Sequence, residues 1–155
     1  MTLKADRQID AVELGYFTNS LVTGGEVLSI ATAGSGIAME DVLNVVEAKA
    51  DSSGAKPVGL CLQEVVSLDL TRVPVNWHKD QAVTGDKVTL LRRGWVTTNT
   101  ITGEVAGLDK AVLSSSGYVA AKAAVGSHNE VANPTVGTFL TGKDETGYAR
   151  LEINL

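Results

Sequence analysis

Gly137, Gly142 and Lys143 stand at the spacing of a phosphate-cradling loop, Gly-x-x-x-x-Gly-Lys-Ser/Thr, within the stretch GTFLTGKDETGY. In such a loop the backbone N–H groups at the end of a strand wrap the phosphates, and the hydroxyl after the lysine ligates magnesium as a helix begins. Here Asp144 occupies the hydroxyl's place and would set a carboxylate beside the phosphates. The continuation ETGYARLEINL alternates Tyr148, Arg150, Glu152 and Asn154 with Ala149, Leu151, Ile153 and Leu155. A period of two belongs to a strand, and the required helix is missing. With TVGTFL upstream also β-prone, the spacing predicts a hairpin closed by a polar turn.

The remaining chemistry-bearing residues are few. His78 and His128 are the only histidines, the usual acid–base groups near neutral pH. His78 lies in NWHKD, near Asp69 and Asp80, and a Ser-His-Asp set can be written down, but no Gly-x-Ser-x-Gly elbow accompanies it. His128 lies in a polar loop, and SSSG at 114–117 is ordinary turn composition. Two histidines fifty positions apart and a lone cysteine give no zinc spacing, and DETG lacks the alternating oxygens of a calcium loop. Gly34 and Gly36 lack the third glycine and the βαβ setting of a dinucleotide fingerprint. The residues therefore point to no catalytic site, no metal and no cofactor. Trp77 and Trp95 suit either a sugar-stacking platform or, more commonly in a chain so poor in aromatics, a core or subunit anchor.

The elements that must position these residues are β-strands. With 44% hydrophobic but only 5% aromatic residues, the core rests on Val, Leu, Ile and Ala, and sixteen glycines against three prolines supply turns. A chain of 155 residues is the usual size of one domain. VLSI, the second half of AMEDVLNVVEAKA, VGLCLQEVVSLDL, KVTLLRRGWVTTNTITG and the pair around SSSG all read as strands, seven or eight with the last hairpin. DSSGAKP is the turn that makes a hairpin of its two neighbours, and TRVPVNWHKDQ is a connection or an edge interrupted at Pro74. Residues 1–20 show no clean period and read as an irregular arm, leaving 21–155 as a single all-β domain, a compact barrel or jelly-roll-like sandwich.

Charge bounds the partners. A formal net charge of −5, without a run of Lys or Arg, offers no basic surface for nucleic acid. No stretch has the length of a signal peptide's apolar core or of a membrane span, so the reading is a soluble, unsecreted chain. Cys61, flanked by Leu60 and Leu62, is expected to be buried in a strand and inert.

KPVGLCLQEVV, DLTRVPVNWHKD, KVTLLRRGWVTTN and VGTFLTGKDETGYARLEINL, within residues 34–155, resemble the head-decoration or capsid cement proteins of tailed bacteriophages, those of cyanobacterial and marine phages especially. The resemblance implies a virion structural protein, made in the host cytoplasm and placed on the outer surface of the capsid. It further implies a homotrimer at local threefold positions, with the major capsid protein as partner and the extended terminus clamping neighbouring capsomers. Under that reading Leu14, Tyr16 and Phe17 in the arm, with Arg72, Trp77, Arg93 and Trp95, are the candidate subunit or capsid contacts, since Trp, Tyr and Arg are enriched in interface hot spots. The competing expectation is a host-surface or glycan-binding module that uses the two tryptophans.

Overall fold

The computed structural model of the protein describes residues 2–31, 44–64, 81–122 and 133–155. The described part is mostly β. In chain order the strands are β1 (Leu3–Thr18), β2 (Val22–Thr23), β3 (Val27–Ile30), β4 (Asn44–Glu47), β5 (Pro57–Glu64), β6 (Gln81–Ala82), β7 (Lys87–Thr98), β8 (Ile101–Thr102), β9 (Lys110–Leu113), β10 (Val119–Ala121), β11 (Thr135–Phe139) and β12 (Ala149–Asn154). One 3-10 turn, Ser115–Gly117, separates β9 from β10. Ten strands form one large mixed sheet in the order β1-β4-β3-β5-β7-β12-β11-β9-β10-β8, while β2 and β6 pair by themselves.

β7 is the strand on which the others converge. Valine, threonine, leucine and tryptophan fill it, the residue types that suit a pleated surface packed against neighbours. Along one edge it pairs with β1, from Leu3–Thr98 to Phe17–Lys87. Its other edge is shared: β5 takes 88–91 and β12 takes 93–98. Because β1 also meets β4, the pairings β1-β4-β3-β5-β7 run back to their start.

Alternation along the strands sorts the core into two clusters. Leu60, Leu91, Val96, Val119, Phe139, Leu151 and Ile153 belong to the larger one. Leu28, Val46, Val58, Cys61, Val88 and Leu90 form the other, with Tyr16 packed against its margin. Neighbours such as Val27 and Leu28 face opposite clusters, the period-two rule applied to strands covered on both faces. Cys61 is 1% exposed in β5, as its apolar flanks predict.

Three expectations need correction. Residues 1–20 are not an irregular arm, because 3–18 form the longest strand described. Its period is hidden for two reasons: most of its side chains face solvent, and the ladder to β7 is interrupted between Leu3 and Arg7, around Ala11 and between Glu13 and Tyr16. Next, β4 and β5 do not form a hairpin, since β3 lies between them and pairs with both. Finally, the described residues hold twelve strands rather than seven or eight, several of them two residues long and below any periodic signal. The β-rich character of the described residues and the β11–β12 hairpin agree with the sequence reading.

Buried hydroxyls pin the start of β1. Thr98 donates to the Thr2 carbonyl at 3.1 Å, Thr100 donates to the Gly25 carbonyl at 2.6 Å, and Thr2 donates to the Gly24 carbonyl. Farther along, β1 approaches β7 so closely at Gly94 that a Cβ there would fall on the Gln8 carbonyl, and Gly94 has φ +138. Only glycine accepts both conditions. Gly94→Ala is accordingly expected to lower unfolding stability by roughly 1–3 kcal/mol in denaturant titration, the range for strain at such positions. An unchanged midpoint would show that β1 does not need this close approach.

Candidate contact surface

The outward-facing residues of β1, β7 and β12 form a connected polar layer. Trp95 Nε1 donates to Gln8 Oε1 at 3.0 Å. The Arg150 guanidinium lies 4.4 Å from the centroid of the Trp95 ring and donates through Nη2 to Asp6 Oδ2 at 2.8 Å. One indole thus ties three strands together. Lys4 continues the layer, with Nζ 4.1 Å from the Tyr148 ring centroid and 3.5 Å from Asp144 Oδ2. On the far side of β1, Glu13 and Arg92 stand 3.7 Å apart. Each of these pairs is well exposed, so each contributes only about 0–1 kcal/mol, and their effect is to orient side chains.

The apparent phosphate loop is a turn. Lys143 Nζ donates to the carbonyls of Ile101, at 3.3 Å, and Gly103. Asp144 Oδ1 accepts from the Thr146 hydroxyl at 2.7 Å, the Thr146 N–H at 2.9 Å and the Tyr148 N–H at 2.8 Å. A short acidic side chain bonded to its own backbone two and four residues on is what holds such turns. The Thr146 hydroxyl, followed by the Tyr148 N–H, draws the Asp144 carboxyl down to a pKa of about 2. Gly137 has its own reason to be glycine, since β12 passes so close that a Cβ would collide with the Glu152 carbonyl. Gly137, Lys143 and Asp144 are accounted for by the hairpin.

Of the sequence-predicted contacts, Arg72 and Trp77 lie outside the described residues, as do His78 and His128. The other five fall on two adjacent strands. Leu14 is 52% exposed on β1, and Tyr16 is half-buried against the smaller core cluster. Half-buried Phe17 is matched with Val45 of β4 and Lys87 of β7. On β7, Arg93 is exposed and Trp95 is half-buried under Arg150. Arg150 therefore takes the stacking position on that indole face that a sugar ring would need.

Sequence reasoning missed other exposed apolar groups. Ile9 and Val12 accompany Leu14 on β1. Leu21 and Val83 sit one step beyond the Val22–Ala82 pair. Leu108 is 80% exposed with φ +72, a left-handed conformation rare for a branched side chain. Its N–H donates to the Phe139 carbonyl at 2.7 Å, which places it beside exposed Leu140. The available signal was the sequence itself, a leucine inside the turn AGLDK, where polar residues or glycine are usual.

Among the described residues no group of three or more His, Cys, Asp or Glu side chains stands ready to hold a metal ion. A shallow cavity of about 200 Å³ between Lys110, Thr135, Gly137, Thr138, Glu152 and Asn154 continues the outer face onto β9 and β11. No protein-family model matches the chain. A search of curated proteins returns no match either.

Two measurements check the turn. Because the folded pKa of Asp144 lies below its ordinary 3.8, its bonds stabilise the fold above that value and are lost as pH falls towards about 2. The difference in thermal midpoint between the protein and Asp144→Ala should therefore be largest above about pH 4 and shrink steadily towards pH 2. A difference independent of pH contradicts the turn role. Lys143→Ala should weaken the fold by about 1 kcal/mol or less. Micromolar ATP or GTP binding by calorimetry, lost in that variant, would restore the phosphate loop.

Proposed function

We propose that this protein is a virion structural component that decorates the outside of an icosahedral phage capsid and stabilises it by bridging neighbouring capsomers. The single observation that carries the reading beyond the sequence resemblance is that exposed apolar side chains sit on separate elements, Ile9, Val12 and Leu14 on β1, Leu21 with Val83, and Leu108 with Leu140. A bridging protein needs more than one patch, and several weak contacts made together gain strength through effective concentration. Leu108 supports the reading most directly, since an apolar side chain held outward in a strained conformation is retained where a partner covers it.

On this reading the β framework is a spacer, with the circuit β1-β4-β3-β5-β7 as a small barrel and β12-β11-β9-β10-β8 as an extension of its wall. The major capsid protein is the partner, and a homotrimer at threefold positions follows from the resemblance. Mild acidity keeps the unbound protein soluble until it docks. Stabilisation is linkage: a ligand that binds the mature lattice and not its dissociated form raises lattice stability as RT ln(1 + [L]/Kd). The protein is not an enzyme on this reading and uses no cofactor.

Two experiments test this. Purified capsids stripped of the protein should release DNA at a lower temperature than decorated ones, and adding the protein back should restore the difference. Equal release temperatures end the proposal. Leu108→Gly removes both the apolar tip and the backbone strain, so the variant should be about as stable as the parent or up to about 1 kcal/mol more stable. It should nevertheless decorate capsids more weakly; undiminished decoration removes Leu108 from the contact.

A further inference from the structure

Among the described residues, one edge of β1 is largely unpaired. The strand pairs with β7 along its length, but its other edge meets β4 only at Tyr16, Phe17 and Thr18. Residues 3–15, roughly 40 Å of strand, offer unpaired N–H and C=O groups on that side among the described residues. In the middle of this stretch both faces are open to solvent, with Ile9 46% and Val12 40% exposed. A long exposed edge is a template for another strand. By contrast β8, at the opposite end of the sheet, has two residues and offers little.

We propose that the occupant of this edge is β1 of a second copy, paired antiparallel about a two-fold axis at Ile9. Antiparallel partners directly opposite each other share a face, so a two-fold axis must pass through a residue, and the charges on β1 discriminate among the choices. An axis at Gln8 sets Asp6 against Asp10 twice, and one at Asp10 sets that carboxylate against itself. Like charges directly opposite are destabilising. With the axis at Ile9 no like charges meet: Ile9 faces Ile9, Gln8 faces Asp10, Arg7 faces Ala11, Asp6 faces Val12 and Lys4 faces Leu14. An axis at Ala11 also avoids like charges, but it sets Glu13 against Ile9 and shortens the overlap to residues 7–15.

Gln8 is already prepared for this arrangement. It accepts from Trp95 and donates to Asp10 of its own strand at 3.0 Å, so both side chains stand on the outer face, where the second copy's Asp10 and Gln8 arrive. The ladder to β7 is regular from Arg7 to Ile9 and shifts on either side, which confines the straight part of the edge to the neighbourhood of the axis. Paired this way, the two copies continue one sheet through β7, β1 and their counterparts. The contact stands on the strand alone and holds or fails independently of the capsid reading.

Sedimentation and disulfide trapping test it. The protein should sediment at twice the mass of the Ile9→Lys variant, which sets two cations together at the axis while leaving an exposed edge position soluble and folded. Ile9→Cys should form a disulfide-linked pair under mild oxidation, because directly opposed residues have Cα atoms about 4.5–5.5 Å apart, within disulfide reach. Arg7→Cys and Ala11→Cys should each fail alone, their equivalent positions being about 14 Å apart, and should cross-link when mixed. The parent supplies the blank, since Cys61 is buried. Equal masses for parent and Ile9→Lys overturn the proposal. So does cross-linking that is no faster for Ile9→Cys than for Arg7→Cys.

Discussion

Both edges of β7 are hydrogen-bonded, and the two core clusters exist because of it. β1 closes one side, while β5 and β12 divide the other at Arg92, so that Leu90 reaches one cluster and Leu91 the other. A strand paired along both edges, with most of its side chains buried or half-buried, leaves little backbone to solvate. It is therefore the part of the sheet with the highest cost of local opening. The polar outer layer depends on it in turn. Trp95 holds Gln8 and Arg150 in place only because β7 fixes the height of the indole between its neighbours.

What was legible in the sequence follows from where burial produces a pattern. The final hairpin could be read because Ala149, Leu151 and Ile153 are buried while Glu152 and Asn154 are exposed. Residues 87–98 could be read as β from composition, though the adjacent buried Leu90 and Leu91 break the alternation. β1 could not be read, since a strand that buries little and shifts register several times leaves no period in its apolar residues. The position of β3 between β4 and β5 was equally invisible, because sequence adjacency favours a hairpin and only the tertiary pairing contradicts it.

Among the candidate contact residues, setting decides what each side chain does: Leu14 and Arg93 are exposed, whereas Tyr16 packs against the core and half-buried Trp95 serves neighbouring strands. Leu108 was overlooked although a leucine inside the turn AGLDK is unusual; what sets it apart in the fold is its backbone angle. The same holds for Lys143, whose apparent phosphate role came from spacing alone and whose actual partners, the carbonyls of Ile101 and Gly103, are forty residues away in sequence.

The pairing of β1 with β7 also sets the order of events in folding. Leu3 is matched with Thr98, so β1 must wait for the whole of β7 before its ladder can form. Loop closure over such distances slows folding more than it lowers stability. During that wait the nascent chain carries an unpaired strand bearing Ile9, Val12 and Leu14, the kind of segment through which incomplete chains associate. The alternating acids and bases of LKADRQIDAVE keep that segment hydrated until β7 arrives, which gives its charges a role in biogenesis separate from any they have in the finished fold.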